Sequence, residues 1–141
     1  MIFLPDVNIW IALTSNRHVH HSLANEWLQS VDSGQIAFCR ISELGFLRLL
    51  TNPHVMGKDA LSPREAWHVY DEWRADDRVI FLPEHTDFSE EWRRLGEQIA
   101  GGPNVWTDAY LGAFALHANA TIVTLDRKFL PLGGVAIKSL V

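Results

Sequence analysis

The chain reads as an α/β protein: a central, mainly parallel sheet of about five strands with helices on both faces. Three observations lead there. Short apolar runs alternate with stretches whose apolar residues recur at helical spacing. The runs stop at Pro, Gly or a polar residue before the next helical stretch. Four acidic residues, Asp6, Glu43, Asp108 and Asp126, stand at strand ends or helix starts. In a parallel sheet these positions share one edge, the edge at which such folds bind ligands.

Taken in order, Ile2 to Leu4 form a short buried strand stopped by Pro5. Val7 to Leu13 follow as a short helix. His18 to Val31 is amphipathic, with Leu23, Trp27, Leu28 and Val31 on one face, and Asp32-Ser33-Gly34 ends it. Gln35 to Cys39 is the second strand. Ile41 to Leu50 is a helix with Ser42 as its candidate cap, closed by Asn52-Pro53. His54 to Leu61 read as a loop. Ser62-Pro63-Arg64-Glu65 opens a helix with a capping box and Pro in the first turn, running to about Ala75. Val79 to Leu82 is the third strand, and Ser89 to about Ala100 a helix. Gly101 to Asn104 is a turn, and Val105 to Ala118 the last helix. Thr121 to Leu125 and Val135 to Ile137 complete the strands.

Length and composition bound the function. The 141 residues are 48% apolar and 21% charged, which suits one globular domain spanning 1–141. No apolar stretch nears the ~18 residues of a membrane span, and no signal peptide is visible. Cys39 is the lone cysteine, so an internal disulfide and a Cys-based metal site are excluded. These features predict a cytoplasmic protein. The net charge of −5 argues against a broad basic surface for nucleic acid. Any nucleic-acid contact would then be local, through Arg17, Arg40, Arg48, Arg127 and Lys128, or shared across a dimer.

Each acid has two readings. Asp6 reads equally as a metal ligand and as a cap for the next helix, and Asn8 could hold it in place. Glu43 suits a helix first turn electrostatically. It also shares a face with Leu47 and Leu50, where a carboxylate needs a partner, and a metal or Arg48 would supply one. Asp108 starts a helix whose small Gly112 and Ala115 would let it lie close to the sheet. Asp126 reads as a metal ligand or as a surface turn beside Arg127 and Lys128, with Thr124 as a supporting strand residue. His18, His20 and His21 lack a carboxylate partner at ligand spacing and read as surface or capping groups. The six Trp residues read as core and interface, with Trp67, Tyr70 and Trp73 forming one helical stripe.

Four carboxylates on one edge would repel one another unless a cation lay between them. An oxygen-only ligand set prefers Mg²⁺ or Mn²⁺, which points to phosphate chemistry. Asp6, Asp108 and Asp126 are the expected ligands, direct or through water. Glu43 is expected either to bind through water or to help deprotonate the attacking water. Asn8 and Thr124 are expected to position them. Two other classes stay open: a metal-dependent phosphotransferase, disfavoured by Asn8 where a second acid would stand, and a non-catalytic module that binds RNA or protein.

The sequence resembles the PIN domains. Leu4-Pro5-Asp6-Val7-Asn8 is similar to the family's first motif, Ser42-Glu43-Leu44 to the second, Thr107-Asp108-Ala109-Tyr110 to the third, and Val123-Thr124-Leu125-Asp126-Arg127-Lys128-Phe129 to the fourth. Order and spacing match from end to end, and the length matches the VapC toxin branch. The stretch Glu43 to Pro53 resembles its actinobacterial members. One departure is Lys128, where many members carry a further acid. The resemblance implies a three-layer α/β/α PIN-like fold and a metal-dependent endoribonuclease, the toxin of a type II toxin–antitoxin pair. It also implies a small VapB-like antitoxin lying in the groove beside the acids. A homodimer is expected, with Trp67, Tyr70 and Trp73, or Trp10 and Trp27, as the apolar wall of that groove.

Overall fold

The protein is described from a computed structural model that covers residues 1–99, 101–127, 129 and 133–141. Five strands, β1 (Ile2–Pro5), β2 (Ile36–Phe38), β3 (Val79–Phe81), β4 (Ala120–Thr124) and β5 (Ala136–Ser139), form one sheet. Their order is β3-β2-β1-β4-β5, and every pairing is parallel. Seven helices connect them among the described residues: α1 (Val7–Thr14), α2 (His21–Gln29), α3 (Arg40–Leu50), α4 (Pro53–Met56), α5 (Pro63–Arg74), α6 (Phe88–Gln98) and α7 (Val105–Ala118).

Strand alternation divides the core into two layers. Ile36, Phe38 and Val123 face α1, α2, α3 and α5, whereas Leu4, Ala37 and Ile122 face α6 and α7. Trp10 lies at the centre of the first layer, stacked on Phe38 at 3.8 Å between ring centroids. Phe88, Tyr110 and Phe114 fill the second. Sheet residues buried on both faces explain why β1, β2 and β4 read as nearly continuous apolar runs.

The topology makes a crevice. From β1 the chain proceeds outward through β2 to β3, then returns to place β4 on the other side of β1. Connections therefore leave β1 and β4 in opposite directions, and the crevice between their C-terminal ends is the switch point where parallel sheets bind ligands. Asp6 follows β1 directly, and Asp126 follows β4 by one residue.

Three expectations are corrected. The 54–61 segment is not plain loop: Asn52 accepts the His54 N–H at 2.9 Å, Pro53 takes the first turn, and α4 forms, followed by a 3-10 turn at Gly57–Asp59. Helix α2 begins at His21, because His18 folds into a turn with its ring nitrogen accepting the His20 N–H at 3.0 Å. The cap of α3 is Cys39; Ser42 closes a capping box three residues later, accepting the Cys39 N–H at 3.0 Å. The capping box at Ser62 and Glu65 forms as expected.

Candidate active site

Asp6 uses its two oxygens differently. One caps α1 by accepting the Val7 N–H at 2.7 Å. The other accepts the Thr124 hydroxyl at 3.1 Å and the Asn8 amide at 3.4 Å. The same carboxylate therefore caps α1 and is tied to the end of β4. The pairing of Pro5 with Val123 brings the ends of β1 and β4 level, so residues 118 apart in sequence bond directly.

Thr124 ties the edge together. Its buried hydroxyl donates to Asp6, accepts the Asn8 amide at 3.3 Å and accepts the Asp126 N–H at 3.0 Å. That fills one donor and two acceptor positions, all a hydroxyl has. Asn8 in turn accepts the Leu125 N–H at 3.2 Å, which fixes which end of its amide faces Asp6. Asn8 and Thr124 thus bond both to Asp6 and to the backbone of the segment that carries Asp126.

Asp108 arrives from the opposite layer, in the first turn of α7. The following turns carry Gly112 and Ala115, both buried, as the small-residue face predicts. Burial, then the charges of Asp6 and Asp126, push Asp108 up to about 6. Asp6 is also raised, by burial first and then by the Asp126 charge, against the lowering effect of its hydrogen bonds to Val7 and Thr124. The neighbouring charges acting on Asp108 are all of its own sign, and a cation is what would relieve them.

Asp6, Asn8, Asp108 and Asp126 line a cavity of about 320 Å³. Its polar side is completed by Thr107 and Asn104, and its apolar side by Val7, Leu49 and Leu111, with Leu44 at the rim. Arg48 lines it from α3, and Arg127 is exposed beside Asp126. Lys128 lies outside the described residues. Among the described residues no group of three acidic, His or Cys side chains is already drawn together tightly enough to hold an ion. The charge of Asp126 raises Asp6, and the charges of Asp6 and Asp126 raise Asp108.

Glu43 is not among the residues lining this cavity. It is 7% exposed, paired with Arg40, and approached by the Tyr70 hydroxyl, which burial and then its hydrogen bond to Glu43 push up to about 12. The Trp residues do not wall the cavity either. Trp10 and Trp27 are core, and Trp73 packs inward with its indole N–H bonded to Thr14 at 2.9 Å. The wall uses Val7, Leu49 and Leu111 instead. Gly45 was overlooked in the sequence: a β-carbon there would lie 2.8 Å from Val7 Cγ2, so only Gly lets α3 approach α1 so closely.

Comparison with known proteins decides the family. The PIN domain model matches residues 3–134, and ribonuclease VapC41 of Mycobacterium tuberculosis is 40% identical across 99% of both chains. The chain belongs to the PIN-domain family and is of the VapC type. Ribonuclease VapC29 of the same organism is 32% identical, covering 95% of this chain and 92% of its own. The VapC-type fold recurs in solved structures. In the DNA-bound VapBC of Salmonella typhimurium the TM-score is 0.72 at 17% identity, covering 100% of this chain and 99% of that one. In M. tuberculosis VapC20, a sarcin–ricin loop cleaving toxin, it is 0.69 at 16% identity, covering 90% and 92%. The central parallel sheet between two helical layers is the PIN-like fold expected from the sequence.

Proposed function

We propose that this VapC-type protein is a toxin ribonuclease that hydrolyses RNA phosphodiester bonds at the Asp6–Asp108–Asp126 edge. The observation that carries the reading is the mutual effect of these three carboxylates at the β1–β4 crevice, in a chain of this family. Like charges lining one cavity, two of them raised, favour a cation between them.

Mg²⁺ or Mn²⁺ suits the oxygen-only donors, and Asp6, Asp108 and Asp126 are the residues that would hold it. Such an ion, when bound, lowers the pKa of a water and offsets charge on the scissile phosphate. The chain's own residues do the positioning. Thr124 and Asn8 keep one Asp6 oxygen turned into the crevice, and the Thr124 bond to the Asp126 backbone holds the third acid in register. Arg48 and Arg127 flank the acids and would meet the phosphates on either side of the scissile bond. Water attacking phosphorus with loss of the 3′-oxygen leaves 5′-phosphate and 3′-hydroxyl ends.

The same cavity explains how the toxin would be held in check. Its apolar wall of Val7, Leu49 and Leu111, with the exposed Leu44 at the rim, suits an apolar segment of a small VapB-like antitoxin. An Arg from that segment would match the carboxylates in geometry and charge. VapBC complexes are the context in which several similar structures were solved. A homodimer acting in the cytoplasm completes the reading.

The test is cleavage of cellular RNA by purified protein with Mg²⁺ or Mn²⁺, with and without EDTA, beside Asp108→Asn. Metal-dependent products with 5′-phosphate ends, absent from the variant, are expected. Undiminished cleavage in excess chelator, or cyclic phosphate ends, would overturn the mechanism.

A further inference from the structure

We propose that Trp106, held against Trp92, forms a subsite for one base of the RNA beside the aspartate edge. This rests on reading that edge as the place of cleavage, and it names what grips the strand next to the scissile phosphate.

The aromatic pair is built into the fold. Trp92 packs on Phe88 and Tyr110 of the second core layer, each at 5.7 Å between ring centroids. Its indole N–H donates to the Trp106 carbonyl at 3.0 Å, which ties the start of α7 to α6. Trp106 meets Trp92 edge to face, at 6.1 Å and 80°, and has no other ring contact among the described residues. Edge-to-face contact leaves indole surface open, and Trp106 is 68% exposed. Both rings line a cavity of about 580 Å³ together with Ser89, Arg93 and Glu97 of α6. Arg94 is held by Glu91, whereas Arg93 makes no ion pair among the described residues.

Three features point to a nucleobase as the occupant. The first is continuity with the site. Asn104, Thr107 and Asp108 flank Trp106 in sequence and line the aspartate cavity. Two residues along a helix is a rotation of about 200°, so Asp108 and Trp106 face opposite sides of α7. A strand that reaches both passes over the end of the helix, a span of ~10–12 Å, close enough for neighbouring nucleotides. The second is charge. The chain carries a net charge of −5, so affinity for a single strand has to come largely from stacking, which any base can do. The third is the cavity's polar lining, where Arg93 can meet a phosphate and Glu97 can accept a base N–H.

The experiment measures RNA binding in EDTA for wild type, Trp106→Ala, Trp106→Phe and Trp67→Ala, with thermal melts and sedimentation. The probes are a mixed-sequence single-stranded RNA and an abasic strand of the same length. Trp106→Ala should weaken binding of the single strand by roughly 5–150-fold, the range for one lost base stack. Trp106→Phe keeps an aromatic face and should stay within about five-fold of wild type, and Trp67→Ala should match wild type. Binding of the abasic strand should agree among the four proteins within about two-fold, because no base is there to stack. The Trp92 bond goes to a backbone carbonyl and survives the substitutions, so the variants should melt near wild type. An unchanged affinity in Trp106→Ala, or an equal loss on the abasic strand, would overturn the proposal. So would conversion of a wild-type dimer to monomer by Trp106→Ala, which would place the ring between copies of the chain. Should wild type bind the single strand yet never cleave RNA with Mg²⁺ or Mn²⁺, the nuclease reading alone falls, and the affinities still decide the subsite.

Discussion

Two acidic regions of this molecule are treated in opposite ways. At the β1–β4 crevice, Asp6, Asp108 and Asp126 act on one another with charges of the same sign, and both Asp6 and Asp108 are raised. At the α3–α5 contact, Glu43 is more buried than Asp108 yet has Arg40 and Tyr70 beside it. The second arrangement is what a fold does with an acid it needs for packing. In the first, Asp6 and Asp108 are pushed up by burial and by the charge of other carboxylates. Burial alone does not separate a functional acid from a structural one; the sign of its neighbours does.

Substitutions can break this contrast, beginning with the largest effect. Asp6→Asn or Asp108→Asn should reduce RNA cleavage by more than the ~100-fold upper range for losing an outer ligand-orienting group. Tyr70→Phe, by the same assay on gel-resolved RNA, should stay within about three-fold of wild type, an effect of only ~0.7 kcal/mol. Equal losses in both groups would erase the distinction.

Thr124→Val comes next. It removes one donor and two accepted bonds at once. Cleavage should fall by roughly 10–100-fold, and denaturant unfolding should show a loss of about 1–3 kcal/mol from the unsatisfied buried groups. Normal activity in this variant would mean that Asp6 needs no help in keeping its orientation.

Arg40→Ala tests the other group. It leaves Glu43 buried with less compensation, a change worth 3–5 kcal/mol in a fully buried pair. The Arg40 side chain is 70% exposed, so solvent screening reduces the expected loss to about 1 kcal/mol. Urea midpoints without metal would measure it.

Asp108→Asn should have the reverse effect on stability. A carboxyl raised from 3.8 to about 6 disfavours the folded state once ionised. Its destabilisation is absent below about pH 4 and grows as pH rises through about 6. The metal-free variant should therefore exceed wild type by about 1 kcal/mol at pH 7, after allowing for partial exposure, and match it near pH 4. Mn²⁺ should reverse the order at pH 7, and wild-type Mn²⁺ affinity should fall as pH drops through about 6, because protons compete for the ligand. Melting curves across pH with and without Mn²⁺ give both answers.

The smallest effect concerns RNA contact. Neutralising Arg48 and Arg127 together should lower the salt dependence of RNA binding, measured in EDTA, by about one unit of slope for each true phosphate contact. An unchanged slope would direct attention to Arg17 and Arg40.

Much of this arrangement was legible in the residues. Asp6 and Asp126 follow apolar runs, and those runs are adjacent parallel strands. Asp108 heads a helix with a small-residue face, and that face lets it approach the sheet. The capping box at Ser62 was readable because its donors and acceptors lie three residues apart. The α4 turn was missed because Asn52-Pro53 reads alike as the end of one helix and the start of the next. Of the Trp67–Tyr70–Trp73 stripe, Tyr70 is buried and Trp67 is exposed; periodicity does not say whether a position meets solvent, core or a groove.

Local chemistry by itself determined the alternation of strands and helices, the capping box at Ser62, and the edge at which three aspartates end up, since each depends on neighbours a few residues away or on the shared direction of parallel strands. What the tertiary structure alone decided is the fate of Glu43 beside them. Its place in a motif-like triplet, Ser42-Glu43-Leu44, is compatible with either side of α3. The rotation of that helix is set by Phe46 and Leu50 entering the core and by Gly45 closing on Val7. Those contacts join segments far apart in sequence, and the rotation they impose on α3 sets Glu43 beside Arg40.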